Sequence, residues 1–140
     1  MAPDLLYDHP LYYDILFGFD RDFEAGFYHR CLERCGVGRG ERVLEVAAGT
    51  GQVALRLARL GWRVTALDVR AAMLSFLAER ARAEGLEVDT LCADMASSFA
   101  SHGPFAAAYN PMSSFRLLHG DGEVGAHLRA MAGALRLGGV

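Results

Sequence analysis

Three carboxylates and one turn of small residues carry the chemistry of this chain. Glu45 interrupts the apolar run Val43-Leu44-Glu45-Val46, and the turn Ala47-Ala48-Gly49-Thr50-Gly51 follows at once. A buried strand bears a charge only when that charge has a partner. A turn with so few side-chain atoms lets main chain come close to a ligand. The pair points to a small-molecule site that wants a carboxylate at a strand end and bare backbone beside it. Asp68 closes a second apolar run, and Asp94 follows a third.

The elements that must position these groups are legible in the apolar pattern. Residues 4–17 are aromatic-rich and broken by Pro10, which predicts a short helical arm, with residues 1–19 as an arm or lid. Residues 20–35 predict a helix with Phe23, Phe27 and Cys31 on a repeating apolar position. Gly36, Gly38 and Gly40 end it. Strands are predicted over 41–48, 63–69, 87–93 and 105–110. Helices are predicted over 51–60, over 71–84 with Met73, Leu74, Leu77 and Ala81 inward, and over 123–136 with Val124, Leu128, Met131 and Leu135 aligned. This alternation defines an α/β, Rossmann-like, doubly wound parallel sheet in three layers. Ligands of such sheets bind beyond the carboxyl ends of the strands. Glu45, Asp68 and Asp94 all fall at such ends and face one crevice.

Composition narrows the class. The 140 residues make one domain, and a net charge of −3 gives no electrostatic case for nucleic acid. Every one of the 14 basic residues is Arg, which excludes a P-loop lysine and a Schiff-base lysine in this chain. Cys31, Cys35 and Cys92 form no disulfide framework. Cys31 and Cys35 lie one helical turn apart and are expected as two buried thiols. A metal site with His29 lacks a fourth ligand, so no metal is expected. No signal peptide or membrane span is visible, and the expected location is the cytoplasm.

Two nucleotide readings compete at the turn. Gly49-Thr50-Gly51-Gln52-Val53-Ala54 matches the dinucleotide pattern G-x-G-x-x-G/A, with Asp68 about 20 residues on. That pattern cradles a pyrophosphate at a helix N-terminus. Glu45 would repel it, and Asp94 would have no task. An NAD(P)-binding oxidoreductase domain is therefore the lesser reading.

Glu45-x-Ala47-x-Gly49-x-Gly51 instead resembles motif I of the class I S-adenosylmethionine-dependent methyltransferases, small-molecule type. Ala47 stands where the usual form has its first glycine. Ala66-Leu-Asp-Val-Arg-Ala-Ala-Met-Leu74 resembles the second motif and Cys92-Ala-Asp-Met95 the third. Asn110-Pro-Met-Ser-Ser-Phe-Arg-Leu-Leu118 is similar to the segment after the fourth strand. Leu135-Arg-Leu-Gly-Gly-Val140 is similar to the turn before the fifth, with Leu137 in place of proline.

The resemblance implies the cofactor S-adenosyl-L-methionine and a role for each matching residue. Glu45 would hold the methionine ammonium through water. Backbone at Ala47, Gly49 and Gly51 would approach the amino acid and ribose. Asp68 would accept from both ribose hydroxyls. Asp94 would accept from the adenine amino group, and the Met95 N–H would reach a ring nitrogen. Val69 and Met95 would sandwich the adenine, and Asn110 would lie beside the methionine part. The pairs Tyr7-Asp8 and Tyr13-Asp14 resemble the family's arm, which would bring Tyr13 to the cofactor as part of a lid with Tyr7, His9 and Tyr12.

The implied reaction is transfer of a methyl group to a small-molecule acceptor. Methyl transfer needs a general base only if the nucleophile arrives protonated, and no residue is named as one. The chain reaches Val140 on the threshold of a fifth strand, so it reads as the N-terminal portion of the family's core. An open fourth strand predicts a homodimer or strand exchange. A non-catalytic cofactor-binding or dimerisation module is the alternative function.

Overall fold

The structure is a computed structural model and describes residues 6–140. Residues 1–5 of the expected arm or lid lie outside the described residues. Helix α1 runs Pro10–Phe17, with proline in the first turn, where its missing N–H costs nothing. Helix α2 runs Asp22–Arg34, with Asp22 and Glu24 in its first turn and Arg34 in its last, a charge order that suits the helix dipole. Strand β1 (Arg42–Val46), helix α3 (Gln52–Arg59), strand β2 (Arg63–Asp68), helix α4 (Ala71–Ala83) and strand β3 (Val88–Cys92) then alternate. A 3-10 turn at Ala100–His102 leads to strand β4 (Ala107–Tyr109). A second turn at Ser114–Leu117 leads to helix α5 (Gly120–Ala134).

The four strands form one sheet in the order β3-β2-β1-β4, all parallel. The strand order reverses at β1, between its neighbours β2 and β4. Strand side chains alternate between two faces. Val43, Val64, Ala66 and Ala107 pack with Val53, Leu57, Leu74 and Leu77 under α3 and α4. Leu44, Val46 and Leu67 pack with Phe99, Phe105, Ala130 and Ala134 under α5. Glu45 and Tyr109 are paired in register on the first face.

Four expectations need correction. Phe23 and Phe27 face solvent at 80% and 51% exposure, while Ala25 and Leu32 are the buried positions of α2. The face is chosen by Tyr28, whose ring stacks on Tyr109 at 4.6 Å between centroids. Helix α5 buries His127, Ala130 and Ala134 and leaves Leu128 exposed. Small residues are needed there because Phe99 and Phe105 fill the space between helix and sheet. Cys31 is half-buried and Cys35 exposed, so they are not two buried thiols.

The outer edge of β4 is also not open. Residues 135–140 run beside it: Arg136 N–H donates to Phe105 O at 2.9 Å, Val140 N–H to Ala106 O at 3.1 Å, and Ala108 N–H to Val140 O at 2.8 Å. Phe105 and Leu135 form a parallel bridge. The free ladder that was expected to invite a second copy is already occupied at these positions. Among the described residues no helix is long and apolar enough to cross a membrane.

Candidate functional site

A cleft of about 690 Å3 opens where the strand order reverses, at the carboxyl ends of the strands. Its walls come from the arm (Tyr7, Tyr13, Phe17), the glycine turn (Ala47, Gly49), the end of β2 (Asp68, Val69, Arg70), the segment after β3 (Asp94, Met95) and the segment after β4 (Met112, Ser113, Ser114, Leu117). Seven of the ten residues singled out in the sequence line it: Tyr13, Ala47, Gly49, Asp68, Val69, Asp94 and Met95. Glu45, Gly51 and Asn110 do not.

The turn is held by its own hydrogen bonds. Gly49 N–H donates to Asp68 Oδ2 at 2.8 Å. Ala48 N–H donates to Leu67 O and Gly51 N–H to Ala48 O, both at 2.9 Å. Three N–H groups of the turn are thus engaged inside the protein. Asp68 Oδ1 accepts from Arg70 N–H at 2.9 Å. Each oxygen of Asp68 therefore has one backbone donor and keeps a lone pair. The carboxylate is fixed in plane and faces the cleft.

Two residues of the turn differ in their reasons. Ala47 adopts φ +57°, a left-handed conformation that costs an L-residue about 1–2 kcal/mol. Gly51 lies at φ +77°, and a Cβ there would fall 2.3 Å from Leu77 Cδ1. Its place is dictated by the approach of α4, not by the cleft.

Asp94 closes a small turn. Its Oδ1 accepts from Ala96 N–H at 2.7 Å, and its carbonyl accepts from Ser97 N–H at 3.0 Å and from Ser97 Oγ at 2.7 Å. Met95 carries the next link, for its carbonyl oxygen lies 2.9 Å from His127 Nδ1. Asn110 Nδ2 approaches Met95 Sδ at 3.8 Å, while Asn110 Oδ1 is buried without a protein partner. Thr50 Oγ1 is buried in the same condition.

Glu45 sits inside the sheet at 1% exposure, where Tyr109 Oη donates to its Oε2 at 2.9 Å. Burial drives its pKa up to about 8, against the lowering effect of the Tyr109 hydrogen bond, and the charge of Glu24 adds to the rise. The Tyr109 phenol is pushed upward in turn, by burial first and then by Glu45. Tyr13 is raised by burial and by the neighbouring Tyr7 and Asp68. Its hydroxyl stays protonated at neutral pH, so it is no ready base.

The arm is fastened across the cleft. Arg80 Nη1 donates to both oxygens of Asp14, at 2.9 and 3.0 Å, and Gln52 Nε2 donates to Asp14 as well. Arg70 Nη1 pairs with Asp8 at 2.7 Å and its guanidinium lies over the Tyr7 ring. Tyr13 then stacks between Tyr7 and Phe17.

The segment after β4 is strained. Met112 and Ser113 are successive non-glycine residues at φ +58° and +59°. Glu24 holds the corner: Oε1 accepts from Met112 N–H at 3.0 Å, and Oε2 from Arg21 Nη1 at 3.1 Å. Sequence reasoning missed Glu24, Arg21, Tyr109 and His127. Only Tyr109 left a signal, as the polar member of an otherwise small-residue strand. Among the described residues no cluster of His, Cys, Asp and Glu could hold a metal ion.

A family model of the methyltransferase domain matches residues 43–139, and the chain belongs to that family. The ubiquinone/menaquinone biosynthesis C-methyltransferase UbiE of Rhizobium meliloti (strain 1021) is 44% identical over 69 residues, which cover 47% of this chain and 26% of that relative. Among solved structures, the glycopeptide N-methyltransferase MtfA complexed with S-adenosyl-L-methionine is 26% identical at a TM-score of 0.73, over 86% of this chain and 52% of MtfA. An S-adenosylmethionine-dependent methyltransferase from Clostridium acetobutylicum ATCC 824 shares the fold at a TM-score of 0.78 and 22% identity, over 91% of this chain and 52% of its own. The chain thus spans about half the length of these solved structures and matches about a quarter of UbiE.

Proposed function

We propose that this chain is the S-adenosyl-L-methionine-binding part of a methyltransferase that acts on a small-molecule acceptor. One observation carries the reading. Asp68 and Asp94, from the ends of two strands, line one cleft with a glycine turn whose N–H groups at 48, 49 and 51 are internally engaged. The two carboxylates make a wall that suits a phosphate-free, cationic nucleoside better than a pyrophosphate.

The remaining lone pairs of Asp68 take the two ribose hydroxyls. Asp94 takes the adenine amino group, Met95 N–H a ring nitrogen, and Val69 and Met95 cover the ring faces. Ala47 and Gly49 give the amino acid part its close backbone. Gly51 supports them from the start of α3. Asn110 lies beside the methionine part, and Glu45, protonated inside the sheet of the free protein, ionises as the cation settles near it. Tyr13 and the rest of residues 6–19 close over the top and exclude water. The chemistry supplied by the bound cofactor is a methyl group on a positively charged sulfur. What the protein adds is alignment and a dry site. A small-molecule acceptor is supported by the aromatic and apolar walls, Tyr7, Phe17, Met112 and Leu117.

Titration calorimetry with S-adenosylmethionine, its demethylated product and NAD+ tests the assignment. Binding of the first two, and no heat with NAD+, is the expected result. Silence with both sulfur nucleosides would overturn it. Binding without transfer to any amine, hydroxyl or carbon acceptor would make the chain a binding module.

A further inference from the structure

His127 has no part in the roles assigned so far, yet it touches both loops of the cleft. It is 2% exposed, among the alanines of α5. A carbonyl oxygen has no proton to give, so the 2.9 Å contact with Met95 O fixes the proton on Nδ1. The other side of the ring meets Phe115 edge-on, at 5.7 Å and 64°. Phe115 belongs to the turn whose Ser114 and Leu117 line the cleft. One imidazole therefore braces the segment after β3 and the segment after β4.

The Asp94–Ser97 turn needs such a brace. Its first peptide is fixed by Ser97 and its second N–H by Asp94 Oδ1. The Met95 carbonyl points away from these partners, and without His127 it would be a part-buried acceptor that has lost its protein donor. An acceptor shielded from water and left without its donor favours another conformation of the turn. The Met95 side chain is held by packing on the core under α5 and by the long sulfur contact from Asn110.

We propose that His127 is a positioning residue for nucleoside recognition: by holding the Met95 carbonyl against α5 and seating Phe115, it fixes the wall that reads the base. The inference rests on the assignment of a sulfonium nucleoside to this cleft. It places the determinant of base recognition on α5, outside the motifs that surround the ligand.

The test uses calorimetry with S-adenosylmethionine and with adenosine on the 140-residue chain. His127→Phe removes the donor and keeps a ring. His127→Asn places an amide nitrogen near the position of Nδ1. Loss of tenfold or more in affinity for both ligands is expected in H127F, with H127N within about threefold of wild type. Affinity unchanged in H127F, or lost equally in both variants while their melting temperatures stay at the wild-type value, overturns the inference. Because either variant can fail to fold, the Nδ1–H proton of wild type is also followed by NMR. Saturating adenosine is expected to slow its exchange with solvent, and unchanged exchange overturns the proposal. Failure of wild type to bind S-adenosylmethionine would instead refute the assignment of the cleft, and this inference with it.

Discussion

Glu45 and Tyr109 face one another in register on adjacent strands, joined by a 2.9 Å hydrogen bond that water does not reach. The folded carboxyl titrates near 8, against about 4.3 for an exposed glutamate. Between those values the folded state holds a proton that the unfolded chain has released. The contribution of Glu45 to stability is therefore largest below about pH 4, falls as pH rises through the window, and is flat above about 8. In Glu45→Gln that slope disappears. Urea titrations at pH 5 and pH 8 should show wild type losing more stability than the variant over the interval. An equal loss in both would remove Glu45 as the cause.

The same carboxyl links ligand to protons. A cation brought near it favours the ionised form. Below about pH 8, binding of S-adenosylmethionine is expected to release a proton. Calorimetry in two buffers of different ionisation enthalpy measures it, and Glu45→Gln should show none.

Asp68→Ala removes the two proposed ligand acceptors together with the acceptor of the Gly49 and Arg70 N–H groups. Charged hydrogen bonds of this kind contribute about 1.5–3 kcal/mol each. Affinity for S-adenosylmethionine should fall at least about tenfold, in step with that range. Wild-type affinity in the variant would exclude Asp68 from the contact.

Much of this was legible because β strands and helices wrote themselves as separate apolar periods. Val43–Val46, Val64–Leu67 and Leu74–Leu77 all lie where the pattern put them, and Asp68 and Asp94 meet in one cleft. Less legible was which side of a helix is buried. Phe23 and Phe27 are the stronger apolar signal, yet Ala25 and Leu32 pack inward because Tyr28 must reach Tyr109. His127 was invisible because its role depends on a carbonyl 32 residues away. No local period records such a contact.

Ala47→Gly should stabilise the chain. The left-handed backbone costs alanine about 1–2 kcal/mol, and the added freedom of glycine in the unfolded chain returns about 0.5–1 kcal/mol of that. A net gain of roughly 0.5–1 kcal/mol is expected by chemical denaturation. Gly51→Ala is the opposite case: backbone strain adds to overlap with Leu77, and a loss of about 2–4 kcal/mol is expected.

Asp14→Ala should unfasten the arm without unfolding the sheet. It removes the partners of Arg80 and Gln52. Limited chymotrypsin digestion should cut after Tyr12, Tyr13 or Phe17 at least about fivefold faster than in wild type, as expected when charge-assisted bonds of about 1.5–3 kcal/mol are lost. Unchanged cutting would show that the aromatic stack alone holds α1.

The cleft is built from residues as far apart as Tyr7 and Leu117. No short stretch of the chain can assemble it alone. Any small molecule seated there draws on the folded population as a whole, and mass action must raise the thermal midpoint with its concentration, by about 2.7 kcal/mol of added stability at a hundredfold excess over Kd. A simple melting curve thus becomes a way to search a chemical library for what this protein holds.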